Sequence, residues 1–276
     1  MGRLVVNRLV ADGRIVRVFD LPVADFSGLQ EIGVEIAKGD LTNARDVRDA
    51  VDGAGSIVHL AAILPPVAEA NPDLTNRVNV EGTRVLLQAA TDAAPDARFV
   101  FSSSVSVYGA ARTGAVVSAD NPVAPDDVYA KSKSASEALV TASSLEWAVL
   151  RISGVAVPVF QEPPEEWPFL AGQQIEFVHR DDAVSAIAAA VGSAGAAGRI
   201  FNIAGGPAWR MSGEKYVSDY FGLLEVDPEE AVYQASPGHF AWYDTADGQA
   251  APGYQNTPYE TYLAQIQQVI DEFLAD

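Results

Sequence analysis

The chain contains no cysteine, and that absence removes disulfides, cysteine-ligated zinc, iron–sulfur clusters and a thiol nucleophile together. It fits a reducing compartment. Histidine is almost as scarce, with 3 residues, and no two stand at the i, i+4 spacing of a helical metal site. Lysine supplies only 4 of the 18 cations, which face 37 acids for a net charge of −19. A surface this short of positive charge repels phosphate backbones and anionic lipid, because binding either depends on clustered cations. Nucleic acid and membranes are therefore not expected as partners. Long apolar runs are missing too: the stretch from Ala138 to Phe160 is broken by Glu146 and Arg151, short of the roughly 18 residues a membrane helix needs. Leu4-Val5-Val6 followed by Asn7-Arg8 is too brief for a signal peptide. The expected location is cytoplasmic.

What is present is a core. Of 276 residues, 49% are hydrophobic and they run through the whole chain, which excludes disordered, collagenous and coiled-coil classes. Short apolar runs, Ile15 to Phe19, Gly33 to Ala37, Ile57 to Ala61, Phe99 to Ser103, Trp147 to Ser153 and Ile200 to Ala204, alternate with amphipathic stretches. Those stretches are Asn43 to Val51, Pro72 to Ala93, Asp126 to Thr141 and Asp181 to Val191. The alternation predicts an α/β fold with a doubly wound parallel sheet. Two stretches depart from it, a proline-containing one from Val155 to Gln174 and an aromatic one from Pro207 to Gly253. They predict a small C-terminal cap. A terminal helix over Pro258 to Phe273, with Tyr262, Ile266, Val269, Ile270 and Phe273 at helical spacing, is expected to pack on it. The expected division is a dinucleotide-binding domain over 1–154, completed by 175–206, and a cap from 155–174 and 207–276.

Gly2 to Gly13 reads as a helix with Val5, Val6, Leu9 and Val10 on one face and Gly13 as its stop. The following strand ends in Asp20. In a dinucleotide-binding unit the last glycine of G-x-G-x-x-G opens this helix, and an acid about 20 residues on takes the ribose hydroxyls. Gly2 and Asp20 fit those places. On that register a first strand and two further glycines, about 10 to 12 residues, are expected upstream of Met1. The expected sheet has a gap between the strand ending at Asp20 and the strand at Ile57. An ordinary surface helix at a natural N-terminus remains the alternative.

Tyr129-Ala130-Lys131-Ser132-Lys133 is a Y-x-x-x-K at the start of a helical pattern, so Tyr129 and Lys133 share a face. An ammonium beside a phenol is expected to lower the phenol's pKa from about 10 toward the range of a general acid or base. By itself the pair could equally be a solvated helix start. Upstream, Phe99 to Gly109 is a buried strand running into Ser102-Ser103-Ser104 and then Val107-Tyr108-Gly109. Hydroxyls at that strand's carboxyl end stand where ligands bind in open α/β sheets.

With Ser104 placed 25 residues before Tyr129, the sequence resembles the extended short-chain dehydrogenase/reductases of the NAD-dependent epimerase/dehydratase family, over nearly the whole chain. Gly39-Asp40-Leu41 resembles the family's adenine-binding turn, His59-Leu60-Ala61-Ala62 its strand under the cofactor, and Asn79 to Thr83 its helix facing the active site. Phe177 to Asp182 is similar to its F-x-x-x-D-D segment. The resemblance implies that Tyr129 exchanges a proton with a substrate hydroxyl or carbonyl while nicotinamide takes or gives a hydride. It implies that Ser104 bonds the same oxygen and that Lys133 binds the nicotinamide ribose and depresses the Tyr129 pKa. Gly2, Asp20, Asp40, Leu41, Leu60, Ala61, Ala62, Asn79, Ser102, Tyr129 and Lys133 are the implied cofactor-binding residues. Asp20 favours NAD, since a carboxylate there repels the 2′-phosphate of NADP, with Arg17 nearby as the feature that would admit NADP.

Several residues carry two readings. His59 and His179 could be ligands but read as structural, and no metal is expected. Asp181-Asp182 could be a paired-carboxylate site but opens a helix, where a cap and a first-turn acid are the default. Gly205-Gly206 reads as a turn. Trp167, Trp209, Phe240, Trp242 and Tyr243 read mostly as packing, with one or two expected to line a pocket.

Within the resemblance, Val105 and Ser106 stand where dehydratases carry Asp-Glu, which disfavours dehydration. Gly154 and Val157 replace the Asn and Gly of the UDP-sugar segment, and Ile175 stands where a second diphosphate-binding Arg is expected. A diphosphate needs cationic forks. The expected activity is therefore a single hydride step on a sugar, uronic acid or other small hydroxy or carbonyl compound. A nucleotide-sugar 4-epimerase and a catalytically silent dinucleotide-binding scaffold are the alternatives. The helices Pro72 to Ala93 and Asp126 to Thr141 correspond to the pair through which relatives dimerise, so a homodimer is expected.

Overall fold

The computed structural model of the chain describes residues 1–110 and 116–275. Helix α1, Gly2–Ala11, buries Val5 and ends at Asp12. Gly13 follows at φ +78°, and its N–H bonds the Val10 carbonyl at 2.9 Å. That left-handed position is the one glycine occupies without strain, so the helix stops where its apolar face runs out.

Strand β1 (Arg17–Asp20) pairs in parallel with β2 (Glu35–Lys38). Beyond α2 (Ala44–Val51), whose first turn is capped by the Asn43 side chain, comes β3 (Ser56–His59). It edges a four-stranded parallel sheet with β4 (Arg98–Ser104), β5 (Glu146–Ile152) and β6 (Arg199–Ile203), in the order β6-β5-β4-β3. Each strand starts or ends within one or two residues of its expected place. Among the described residues β1 pairs only with β2 and β3 only with β4, so the parallel strands form two separate sheets. Helices join them: α1 packs on α5 (Arg180–Gly192), and α2 on α3 (Gly82–Ala93).

Alternation along the strands divides the core. Phe99 and Phe101 of β4 and Val149 of β5 point to the side of α2, α3 and α4 (Val128–Thr141). Val100 and Leu150 point to the side of α1 and α5, with Val5, Val184, Ile187 and Phe201. Successive side chains on a strand face opposite ways, and both faces here are covered by helices, so the strands read as continuous apolar runs. Each fully buried Leu, Val or Phe contributes about 1.5–3 kcal/mol.

The run from Pro72 to Ala93 is not one regular α-helix. A π-helical turn over Asn76–Glu81 separates Pro72–Thr75 from α3. Such turns insert a residue and re-aim side chains, commonly at functional sites.

The segments outside the alternation form their own aromatic core. Trp167, Phe169, Ile175, Trp209, Val217, Tyr220 and Phe221 gather against Tyr259, Tyr262, Ile266 and Ile270. Except for Ile175 of the Gln174–Glu176 strand, the first group comes from the 155–174 and 207–253 regions, the latter including α6 (Gly213–Leu223); the second is one face of α7 (Tyr259–Ala275). The burial of Tyr262, Ile266 and Ile270 matches the expected face, but Phe273 is 67% exposed and only leans on Phe160, ring centroids 5.5 Å apart. Short ribbons tie these segments to the strand ends: Gln174–Glu176 with Arg210–Ser212, Val155–Ala156 with Val178–His179, and Trp242–Tyr243 with Val116–Val117. No described helix is long and apolar enough to cross a membrane.

Candidate active site

Helix α4 carries the Tyr and Lys of the sequence motif, and its N-terminus is held from two sides. The Asp127 side chain accepts the Ala130 N–H at 2.6 Å, and the Glu69 carboxylate accepts those of Val128 and Tyr129, each at 3.0 Å. These are the N–H groups a helix start leaves unpaired, and a carboxylate there also meets the positive end of the helix dipole. Glu69 was not singled out in the sequence. Its partner lies 59 residues on, beyond any local signal.

Tyr129 and Lys133 lie one turn apart, the Lys133 Nζ 5.8 Å from the centre of the Tyr129 ring and 4.9 Å from that of Phe101. Lys133 is buried and donates to the Ser102 carbonyl at 2.8 Å. Burial pulls its ammonium down to about 8, against an upward pull from Glu137. Burial pushes the Tyr129 phenol up to about 12, opposed by the Ser104 hydroxyl and reinforced by Asp127. The lowered phenol pKa expected from the Tyr-Lys spacing is thus reversed. One ammonium donor is turned to the end of β4, and loss of water around the hydroxyl dominates.

The serines of β4 divide by strand period. Ser104 caps the turn that follows, its Oγ accepting the Ser106 N–H at 3.2 Å. Ser103 points the other way and donates to Glu137. Glu137 also takes Arg151 Nε at 3.0 Å and Nη2 at 2.8 Å. Arg151 continues to the Tyr108 hydroxyl and the Ala119 carbonyl, both at 2.9 Å, and Tyr108 donates to Asn202 at 2.6 Å. This buried chain locks α4 to the carboxyl ends of β4, β5 and β6. Glu137 follows Lys133 by one turn on the helix's inner face, a spacing that could have marked it.

Asn79 in the π-helical turn is buried and joins α4 to the loop after β3. Its amide bonds both backbone groups of Ile63, at 2.7 and 3.1 Å, and donates to Ser132 Oγ at 2.9 Å. Ser132 in turn donates to the Tyr129 carbonyl at 2.7 Å. Ser102, Ser104, Tyr129, Lys133 and Asn79 therefore share one connected site.

Leu60, Ala61 and Ala62 follow directly on β3. Asp20, exposed at the end of β1, meets the neighbouring turn through the Gly39 N–H, which bonds its carbonyl at 3.0 Å. In that turn Asp40 accepts the Thr42 N–H and hydroxyl, both at 2.8 Å, which hold its pKa below the usual carboxylate value. Leu41 packs under Gly82, where an added Cβ would come within 2.8 Å of it. Gly2 opens α1, and among the described residues no hydrogen bond joins it to Asp20 or to the Tyr-Lys pair.

The three histidines are structural or bridging. His59, against Phe99 and Phe101, bonds Thr83 at 2.9 Å, and burial lowers its pKa to about 3. It is a neutral core residue. His179 caps α5 by accepting the Asp181 N–H at 3.2 Å. Asp182, instead of pairing with Asp181, accepts the Asn256 and Thr257 N–H groups at 3.1 and 3.0 Å, which anchors the approach to α7. His239, from the aromatic segment, reaches Asp126 at 2.6 Å and Asp127 at 3.3 Å. It fastens that segment to the start of α4, a contact across 113 residues.

A parallel sheet wound by helices on both faces, with Ser104 at the carboxyl end of β4 and Tyr129 and Lys133 on the adjoining helix α4, is the arrangement expected of an extended short-chain dehydrogenase/reductase. The model of the 3-beta hydroxysteroid dehydrogenase/isomerase family matches residues 1–149, and the chain belongs to that family. It is 33% identical over 167 residues to D-erythronate dehydrogenase of Cupriavidus necator, covering 57% of this chain and 51% of that one. It is 32% identical over 182 residues to sterol demethylase protein B of Methylococcus capsulatus, covering 65% and 54%. The chain thus spans about half the length of these curated relatives. A short-chain dehydrogenase/reductase superfamily protein of Agrobacterium tumefaciens, solved with NAD, superposes with a TM-score of 0.82 at 24% identity, over 99% of this chain and 95% of that one.

Proposed function

We propose that the protein is an NAD-dependent oxidoreductase that converts a hydroxyl and a carbonyl of a small substrate into one another. The observation that carries this reading is Lys133, a buried ammonium beneath Tyr129 that donates to one carbonyl at the end of β4. An ammonium has three donors, and among the described residues the other two meet no protein acceptor. They suit a ribose diol. Asp20, at the end of β1, offers its carboxylate to the second ribose and disfavours a 2′-phosphate there. When bound, the nicotinamide supplies or takes the hydride.

The chain's own groups handle the proton. With its pKa near 12, Tyr129 is a neutral phenol at working pH and acts as the acid toward a substrate carbonyl oxygen. Ser104 bonds the same oxygen and keeps it in line with the Tyr129 hydroxyl. Lys133 holds the ribose and, once its hydrogen bonds turn toward Tyr129, favours the phenolate left after proton transfer. In the oxidative direction the phenolate must form first, so rates should rise with pH. Val105 and Ser106 supply neither an acid nor a base for eliminating water.

The reading extends to assembly and location. Helices α3 and α4 pack side by side and supply the homodimer face, and the absence of cysteine suits the cytoplasm. Replacement of Tyr129 by Phe tests the function. The variant should keep its fold and dinucleotide affinity and lose at least about 100-fold in turnover, the usual scale of a general acid. Unchanged turnover would refute proton transfer through Tyr129.

A further inference from the structure

Both backbone polar groups of Tyr129 lead to the loop that follows β3. Its N–H bonds Glu69 Oε1 at 3.0 Å, while Glu69 Oε2 takes the Val128 N–H at the same distance. Its carbonyl accepts the Ser132 hydroxyl at 2.7 Å, and that hydroxyl oxygen accepts the Asn79 amide at 2.9 Å. Asn79 in turn holds Ile63 by both backbone groups, at 2.7 and 3.1 Å. One path reaches the loop at Ile63 and the other at Glu69.

Glu69 is exposed, yet its backbone is firmly seated. It belongs to a single helical turn, Val67–Ala70, in which Ala68 is buried. The Ala68 N–H bonds the Leu64 carbonyl at 2.9 Å, and the Ala68 carbonyl accepts the Thr75 hydroxyl at 3.0 Å. This anchor meets α4 where the helix is weakest. A helix leaves its first N–H groups without partners of its own and frays there, and Tyr129 is the second residue of α4. Asp127, the cap next to it in sequence, takes Ala130, and Glu69 takes the two N–H groups before it. A reacting group misplaced by about 1 Å can lose about 100-fold in rate.

We infer that Glu69 is a positioning residue, which registers Tyr129 against the loop after β3 so that filling the dinucleotide site also fixes the proton donor. This role rests on the proposed oxidoreductase reading and deepens it, since Leu60, Ala61 and Ala62, the residues implied beneath the cofactor, begin the same loop. A plain helix cap would stiffen α4 without regard to that loop.

The test uses the purified chain with fluorotyrosine in place of Tyr129 alone, and NADH as the probe. Binding is read by NADH fluorescence, the ring of residue 129 by its fluorine resonance, and the amides of residues 128 and 129 by hydrogen exchange. With Glu69 intact, NADH should shift the resonance and slow exchange at both amides by about tenfold or more, the scale of a hydrogen bond to a charged group. In Glu69→Ala, NADH should still bind, the shift should be lost, and exchange should slow by less than about twofold. Glu69→Gln has one acceptor oxygen in place of two and should fall between. Asp127→Ala, which removes the other cap of the same turn, should keep the NADH response.

An equal NADH response with Glu69 and with Glu69→Ala would overturn the positioning role. So would equal loss in Glu69→Ala and Asp127→Ala, the pattern of a plain cap, and so would NADH that binds without moving the resonance when Glu69 is intact. Each of these leaves the oxidoreductase reading standing. Absence of NADH binding with Glu69 intact would instead overturn that reading, and the positioning role with it. If Glu69→Ala does not fold, Glu69→Gln decides, and a full NADH response there would refute the coupling.

Discussion

Lys133→Met should uncouple stability from activity. The ammonium sits near 8 in the folded protein against an ordinary 10.5, a difference worth about 3 kcal/mol of destabilisation at neutral pH. Below about pH 8 the group is charged in both states and the penalty is complete. Between 8 and 10.5 the folded form gives up its proton while the unfolded chain keeps it, so stability from this residue rises with pH. Methionine has nearly the same length and no charge, and removes the penalty. It also strips the Ser102 carbonyl of its donor, an offset of about 1–3 kcal/mol. The variant should therefore match or exceed the wild type in stability at pH 7 by up to about 2 kcal/mol, whereas most buried substitutions destabilise. Its advantage should shrink by about 1.3 kcal/mol between pH 7 and 9, from proton linkage alone. The tyrosines raised by burial titrate alike in both proteins and cancel in the comparison. Urea unfolding followed by circular dichroism at pH 7, 8 and 9 reads both quantities, and turnover should be lost. A stability difference that stays constant with pH would mean that Lys133 titrates normally in the fold, and the argument from its burial would fail.

Two further substitutions probe the frame of the site. Glu137→Gln leaves Arg151 charged and buried without its partner and should cost about 3–5 kcal/mol in equilibrium unfolding. It also removes the upward pull on Lys133, so the alkaline fall of reductive activity should begin at lower pH; an unshifted profile would separate Glu137 from Lys133. Asp182→Ala orphans the Asn256 and Thr257 N–H groups and should cost about 2–3 kcal/mol, with early hydrogen exchange confined to α7 and the segment before it. Uniform loss of protection across the sheet would contradict that local role.

Much of the fold was legible because it is periodic. The six apolar runs lie on β1 to β6, and the Tyr129–Lys133 spacing placed both residues on one face of α4. The serine-ended strand and Asn79 belong to the same connected site. Less legible was whatever depended on partners far away in sequence. Glu69 caps α4 from 59 residues upstream, and His239 clasps it from 113 residues downstream. The π-helical turn was hidden as well, since the pattern from Pro72 to Ala93 reads as one continuous helix.

The direction of the Tyr129 shift shows the same boundary at a single atom. From sequence, an ammonium one turn away argues for a lowered phenol pKa. In the fold, burial removes the water that would solvate the phenolate, and the ammonium is turned toward Ser102. Sequence by itself determined the order of strands and helices and the shared helix face of Tyr129 and Lys133, because period and spacing are local properties of the chain. Only the tertiary structure decided how the groups titrate, how Glu137 and Arg151 pair and how the aromatic segments pack together, because burial and charge pairing depend on segments that meet only when the chain folds.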